Sequence, residues 1–338
     1  MSAVLSDHQH LDFPADDWRA TSSLECLKAR ARLLQDVRVF FAARDVMEVE
    51  TPLLSAGTTP DPALRSMTTR FTGPGSPQGK KLYLQTSPEY AMKRLLACGS
   101  GSIFQVCKAF RDGEAGRVHN PEFTLLEWYR VGYDHHMLMD EVEDLVATIL
   151  GVPADFDRIP YRQAFEFYTG INPHSASVEL LQDYVTHRSN VRVKDISLTG
   201  RDAWLDLIMS HVIEPQLGNE RPTFIYDYPA SKAALAAIRE DEYPVAERFE
   251  LYVRGMELAN GFHELTDMQE QGQRFARDCM ARVAENLPDV DVDARLLAAL
   301  DHGLPPCAGV AMGLDRLLLI RQKATTLREI LAFPIDCA

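Results

Sequence analysis

The chain has 338 residues, 46% hydrophobic and 25% charged, the ordinary balance of a soluble globular protein able to bury a sizeable core. Forty-nine acids against 35 Lys+Arg leave a formal charge of -14. That excludes a broad electrostatic grip on nucleic acid, so neither tRNA nor DNA is expected as a partner. Cys26, Cys98, Cys107, Cys279, Cys307 and Cys337 form no CxxC pair and no metal-type spacing, which reads as reduced packing thiols without a zinc site. The N-terminus lacks a basic start with an apolar core, and no apolar run reaches membrane-span length, so no membrane association and a cytoplasmic location are expected.

Residues 1–20 are acidic and aperiodic and are expected to be a mobile tail ahead of one catalytic domain over 21–338. Ser22 and Glu25 resemble a capping box, and Leu24, Leu27, Ala31, Leu34 and Phe41 share one face of a helix running to about Arg44. Val46 to Pro52 reads as a strand ended by proline, a residue that marks an edge, an interface or a turn. Residues 55–80, rich in Gly, Pro, Ser and Thr, read as a long functional loop with a hairpin around Arg70-Phe-Thr. After a short strand at Leu82–Gln85, Ser87 is placed as a helix N-cap with Pro88 in the first helical position and Glu89 in the first turn; Gly99 is the stop. Ile103–Phe110 and Glu122–Val131 form an antiparallel pair joined by the polar loop 112–121, and Asp134–Leu150 is a helix ended by Gly151. The stretch 155–245 is mostly helical (161–169, 178–188, 202–213) with a strand near Thr223–Tyr228, and a helical insertion is expected over about 155–220. Strands then return at Arg248–Val253 and Met256–Glu264 around the turn Arg254-Gly255. Helices at 269–286 and 293–302 and a strand running into a helix over 309–321 complete the chain.

Two-residue pairing at Arg254-Gly255 sets Val253 against Met256, Tyr252 against Glu257 and Glu250 against Ala259. Glu250 and Glu257 then become diagonal neighbours on one sheet face, able to share one Mg²⁺; for an arbitrary pair of strand glutamates a solvated face is the commoner explanation. Asn260-Gly261 interrupts the alternation, and a bulge at Gly261 would bring Glu264 to the same side, where it could hold an amine. Arg111 ends a largely apolar strand and calls for a phosphate or carboxylate partner, or else for Glu114 or Glu122. Arg316 follows the helix-opening Leu314, where backbone N–H groups favour phosphate. Glu127 and Tyr129 point the same way along their strand, whereas Phe123 and Trp128 read as core and His135-His136 as surface.

Together these segments resemble the class II aminoacyl-tRNA synthetases, and within them the lysine branch. Val49-Glu-Thr-Pro52 resembles motif 1, Phe110-Arg111 through Arg117-Val-His-Asn-Pro-Glu-Phe-Thr124 motif 2, and Gly309-Val-Ala-Met-Gly313-Leu-Asp-Arg316 motif 3. Glu257-Leu-Ala-Asn-Gly-Phe-His-Glu264 adds to a likeness covering most of residues 24–336. The resemblance implies an α+β class II catalytic core, an antiparallel sheet flanked by helices, and a homodimer built on the motif 1 helix and the Pro52 edge. Only about twenty residues precede that helix, leaving no room for the anticodon-binding barrel of lysyl-tRNA synthetases. An acidic domain of this length with Thr86-Ser-Pro-Glu-Tyr90 and Glu127-Trp-Tyr129 is similar to the elongation factor P–lysine ligase family. That family adenylates lysine, preferably (R)-β-lysine, with ATP and Mg²⁺ and transfers it to a lysine ε-amine of elongation factor P. The rivals are a truncated lysyl-tRNA synthetase and a non-catalytic regulator that binds an amino acid.

Carried over by position, the resemblance implies catalytic roles for Arg111 and Arg316. It implies an amino-acid pocket of Ser87, Pro88, Glu89, Glu127, Tyr129, Asn260, Glu264 and Ala311, with Glu89 and Glu127 near the backbone-side amine and Tyr129 and Glu264 on the side-chain ammonium. Arg111, Asp112, Gly113, His119, Asn120, Phe123, Glu257, Leu258, Gly313 and Arg316 would hold ATP, and Glu250 and Glu257 the Mg²⁺. This chain departs from the family at two places. Phe110-Arg-Asp-Gly113-Glu114 stands where motif 2 usually reads FRNE, displacing the adenine-contacting glutamate by one residue or replacing it with backbone. Ala311 replaces a glycine of lysyl-tRNA synthetases, a change expected to favour a β-amino acid.

Overall fold

A computed structural model describes residues 18–189, 191, 198 and 200–338. Apart from residues 18–20, the expected tail lies outside the described residues, as do residues 190, 192–197 and 199 of the expected insertion.

Two-residue alternation, interrupted by register shifts along Val245–Val253, builds the sheet that carries the site. Its order is Met47–Glu48, Ile103–Phe110, Glu122–Val131, Cys307–Gly313, Met256–His263, Val245–Val253, Thr223–Pro229 and Asp157–Pro160, with Ile238–Arg239 also paired to Val245–Val253. Neighbours are antiparallel except at the two margins, where Met47–Glu48 and Asp157–Pro160 join their neighbours in parallel. Leu126, Trp128, Phe249, Leu251, Val310 and Met312 point to one face and are buried there. Helices Leu24–Ala42, His135–Leu150 and Leu314–Gln322 cover that face, with Phe41 stacked on Phe104 at a centroid distance of 4.5 Å. Each such fully buried apolar side chain contributes about 1.5–3 kcal/mol relative to exposure. The other face presents Glu127, Tyr129, Glu250, Asn260 and Ala311, and is closed at one side by Glu89–Ala97, Met268–Ala284 and Ala294–Gly303, packed through Met92, Leu96, Phe275 and Leu300.

The helix over 161–169, the helical runs over 178–188 and 201–213 and the strand Thr223–Pro229 lie where the sequence puts them. They bury a second apolar cluster against the far edge of the sheet. Several local expectations are corrected. The first helix is capped by Ser23, whose Oγ accepts from Cys26 N–H at 3.2 Å, rather than by Ser22. The strand expected over 46–52 shrinks to Met47–Glu48, because after Val49 N–H bonds Phe104 O the chain turns away at Thr51-Pro52. The long loop 55–80 is largely sheet: Thr68–Gly73 pairs with Ser76–Leu84, which also pairs with Leu54–Ser55. The hairpin turns at Pro74-Gly75, where Gly75 takes φ 81°, and Arg70 is mid-strand opposite Lys81. The next helix begins at Glu89, one residue later than expected, with Ser87 Oγ accepting from Glu89 N–H. His135 is not on the surface: Asp134 caps the helix and turns His135 inward to Asp227 at 3.3 Å, leaving His136 exposed.

Candidate active site

The hairpin Val245–Val253/Met256–His263 places most of the acids. Its turn has the expected register, Val253 opposite Met256 and Tyr252 opposite Glu257. The next pair is Leu251 with Ala259, so Leu258 is the extra residue of a bulge, and Glu250 faces Asn260 rather than Ala259. The bulge therefore sits three residues before Gly261. Gly261 meets a packing demand instead: a Cβ there would lie 2.4 Å from the Phe249 ring. Since alternation has period two, this one inserted residue is what lets Glu257 share a face with Asn260 and Glu264.

One cavity of about 920 Å³ runs along this face. Its lining includes Ser87, Pro88, Glu89, Arg111, His119, Asn120, Phe123, Glu127, Tyr129, Glu250, Glu257, Leu258, Asn260, Glu264, Ala311, Gly313 and Arg316. Of the predicted residues, Asp112 and Gly113 are not in that lining. They form an exposed turn, Gly113 at φ 81°, which carries Glu114 into the wall in their place.

At one end the cavity is a pocket of buried acids. Glu127 accepts hydrogen bonds from Ser87 Oγ at 2.6 Å and from the Tyr129 hydroxyl at 2.7 Å. Burial, together with the nearby charge of Glu89, pushes its pKa up to about 8 despite those donors. Glu264, fully buried, is pushed up to about 7 by burial, opposed by Lys93. Lys93, four residues after Glu89 on the same helix, donates to Glu89 Oε1 at 2.7 Å, and its Nζ lies 2.6 Å from Glu264 Oε2. That second contact lacks hydrogen-bond geometry, so both Glu264 oxygens keep unfilled positions. Gly309 makes room for this arrangement, since a Cβ would sit 2.2 Å from the Tyr129 ring and 2.5 Å from Glu264 Oε1.

Guanidinium groups hold the other end. Arg111 lies over the Phe123 ring at 5.1 Å and 3.6 Å from Glu114 Oε1, while its Nε is buried without a hydrogen-bond partner. A buried N–H of that kind is a position for an anion. Arg316 donates to Glu257 O at 2.7 Å and lies 2.7 Å from His119 Nε2. Burial and the Arg316 charge lower the His119 pKa, so the neutral ring can accept at Nε2. Asn120 donates to Glu122 O at 2.6 Å and accepts from Ile335 N–H at 3.1 Å. Asp315, beside Arg316, is buried and accepts from Arg30 at 2.6 Å and from Thr124 N–H at 2.7 Å, tying the last helix to the first helix and to motif 2.

Between the two ends, Glu250 accepts from Tyr228 at 2.7 Å and also from Tyr252 and Arg248. Burial, and next the charge of Glu250, raises the pKa of Glu257. Three donors occupy three of the roughly four lone-pair sites of a carboxylate, so Glu250 keeps one open and Glu257 more. Two close carboxylates with open sites and mutual repulsion fit a divalent cation that takes its remaining ligands from phosphate oxygens and water.

A family description, tRNA synthetases class II (D, K and N), matches residues 6–337. The chain belongs to the class II tRNA synthetases. It is also 50% identical over 321 residues to an elongation factor P–(R)-β-lysine ligase of Pseudoalteromonas translucida (strain TAC 125), a match covering 95% of this chain and 98% of that relative. In this class II synthetase, three site residues escaped the sequence reading: Lys93, Gly309 as a space-maker, and Asp315 as an anchor. Lys93 stands one helical turn after Glu89, a spacing equally common on exposed helix faces, and Gly309 and Asp315 were visible only as letters of motif 3.

Proposed function

We propose that this class II synthetase is an ATP-dependent ligase that adenylates lysine, preferably (R)-β-lysine, and transfers it to the ε-amino group of a lysine on elongation factor P. The observation that carries this reading is one cavity with two arginines at one end and, at the other, the buried acids Glu127 and Glu264 with the half-buried Glu89. The name of the 50%-identical relative supports the choice of acceptor and of isomer.

In the first step a carboxylate oxygen of the amino acid attacks the α-phosphorus of ATP, the bond from that phosphorus to the bridging oxygen breaks, and pyrophosphate leaves. Arg111 stabilises charge on the α-phosphate, Arg316 grips the polyphosphate, and Glu89, Glu127, Tyr129 and Glu264 hold the two ammonium groups, so the reacting oxygen is fixed rather than free to diffuse. Ser87 and Asn260 add polar contacts around the substrate. Phe123, His119, Asn120, Glu114, Leu258 and Gly313 surround the nucleoside. Glu250 and Glu257 would hold Mg²⁺, which supplies neutralisation of the phosphate charge when bound. In the second step the neutral acceptor amine attacks the acyl carbon, AMP leaves with the electron pair of the C–O bond, and the new amide nitrogen loses its proton.

Ala311 faces Glu127 and Asn260 on the neighbouring strands, where its methyl shapes the pocket floor and favours a β-amino acid. A cytoplasmic homodimer completes the reading, supported by Leu24, Val39 and Met47, which leave apolar surface on the first helix and the strand after it. Among the described residues no helix is long and apolar enough to cross a membrane.

The test is transfer of radiolabelled (R)-β-lysine, with ATP and Mg²⁺, to purified elongation factor P and in parallel to lysine tRNA. Label on the protein alone is expected. Label on tRNA would replace the acceptor, and no label together with no pyrophosphate exchange would make the chain a non-catalytic binder. Equal activation of lysine and (R)-β-lysine would remove the role given to Ala311.

A further inference from the structure

Lys93 stands in the wall of the acid pocket with no part in the chemistry described so far. Its side chain is 2% exposed, and its ammonium bridges Glu89, on its own helix, and Glu264, at the end of the strand Met256–His263. Both acids line the cavity, whereas Lys93 lies behind them and is outside the lining. Its charge also reaches Tyr90 on the same helix and Cys307 on the strand Cys307–Gly313, while Glu127 and Tyr129 on the strand Glu122–Val131 face Glu89 and Glu264, and Asp61 lies beside Tyr90.

The charges of the pocket can be counted. Glu89, Glu127 and Glu264, when ionised, carry three negative charges, and Lys93 returns one positive charge, leaving two. An adenylated diamino acid has lost its carboxylate charge and presents two ammonium groups. Three acids alone would leave one carboxylate uncompensated in a buried site, which is costly. Lys93 also fixes geometry, since one ammonium bonded to Glu89 and lying against Glu264 holds them at a set separation while their remaining lone pairs face the cavity.

We propose that Lys93 is a positioning and specificity-determining residue: it holds Glu89 and Glu264 in place and reduces the pocket charge to the value that two substrate ammonium groups neutralise. The inference rests on the diamino-acid reading above. On this account the pocket prefers substrates with two amines over those with one, and the preference depends on a residue that touches no substrate.

The experiment compares the full chain with Lys93→Met and Lys93→Ala in lysine-dependent pyrophosphate exchange from pH 6 to 9, with norleucine as the one-amine control. In Lys93→Met the two acids lose their cation, and Glu264, already raised by burial, keeps its proton to higher pH. The KM for lysine at pH 7 should rise about tenfold or more, kcat should change little, and the acid limb of kcat/KM should move up by about one pH unit. The advantage of lysine over norleucine should shrink, and ethylammonium should restore part of the activity of Lys93→Ala. An unmoved acid limb, or a fall confined to kcat without ethylammonium rescue, would overturn the proposal. A second measurement needs no variant: calorimetry of lysine binding to the unaltered protein, in two buffers of different ionisation enthalpy at pH 7. Release of about one proton or more per site is expected as the acids ionise against the incoming amines. Binding without proton release would contradict the charge balance, whereas absence of any lysine binding would instead defeat the diamino-acid reading itself.

Discussion

At the scale of single residues, the site is a set of carboxylates kept where carboxylates are costly, each with a different remedy. Glu127 keeps two hydroxyl donors, Glu264 has Lys93, and Glu250 has Tyr228, Tyr252 and Arg248. For Glu127 the donors do not suffice, and its pKa rises from 4.5 to about 8. Below about 4.5 the folded and unfolded forms both hold this proton, and above about 8 neither does. Between those values only the folded form holds it, so the substrate-free protein loses stability as pH rises through that window. Glu127→Gln is permanently neutral and should lessen that loss, leaving the variant about 2 kcal/mol or more better off at pH 8 than at pH 5, relative to the unaltered chain. Urea unfolding at a series of pH values checks this, and parallel stability curves for the two proteins would contradict it.

At the scale of elements, two devices aim the site. One is the bulge at Leu258, which brings Glu257 to the face of Glu264. The other is Asp315, which joins three elements: the last helix, on which it sits, the first helix through Arg30, and motif 2 through Thr124 N–H. Arg316 is the next residue, so its reach towards Glu257 and His119 depends on that junction. Asp315→Ala leaves Arg30 and a backbone N–H without their acceptor and should cost about 3 kcal/mol of stability in urea unfolding. It should also lower pyrophosphate exchange through kcat if, as proposed, Arg316 acts on the phosphates and not on the amino acid. A variant of unchanged stability would show that the junction is not structural.

At the scale of the whole molecule, the homodimer proposed above should be visible in solution. Sedimentation of the full chain is expected to give a two-chain species, and Val39→Asp, which puts a charge on an exposed apolar side chain of the first helix, should shift it towards one chain. A one-chain species at all concentrations would withdraw the homodimer from the proposed function.

The sequence by itself determined most of the helices and strands, though not the three-stranded sheet over 54–84, since period-two and period-3.6 patterns are local, and with them the antiparallel pair at Ile103–Phe110 and Glu122–Val131 and the shared direction of Glu127 and Tyr129. Three ordered motifs also made the family legible. Only the tertiary structure decided where the bulge falls, because an inserted residue is located by pairing with a second strand, and Gly261 was a local cue with a different cause. It likewise decided that Lys93 is buried and that His135 turns inward. A Glu–Lys pair four apart on a helix looks the same in water and in a protein interior until the strand bearing Glu264 arrives against it. Burial of a charge depends on what packs over it, and that is a property of residues far away in sequence.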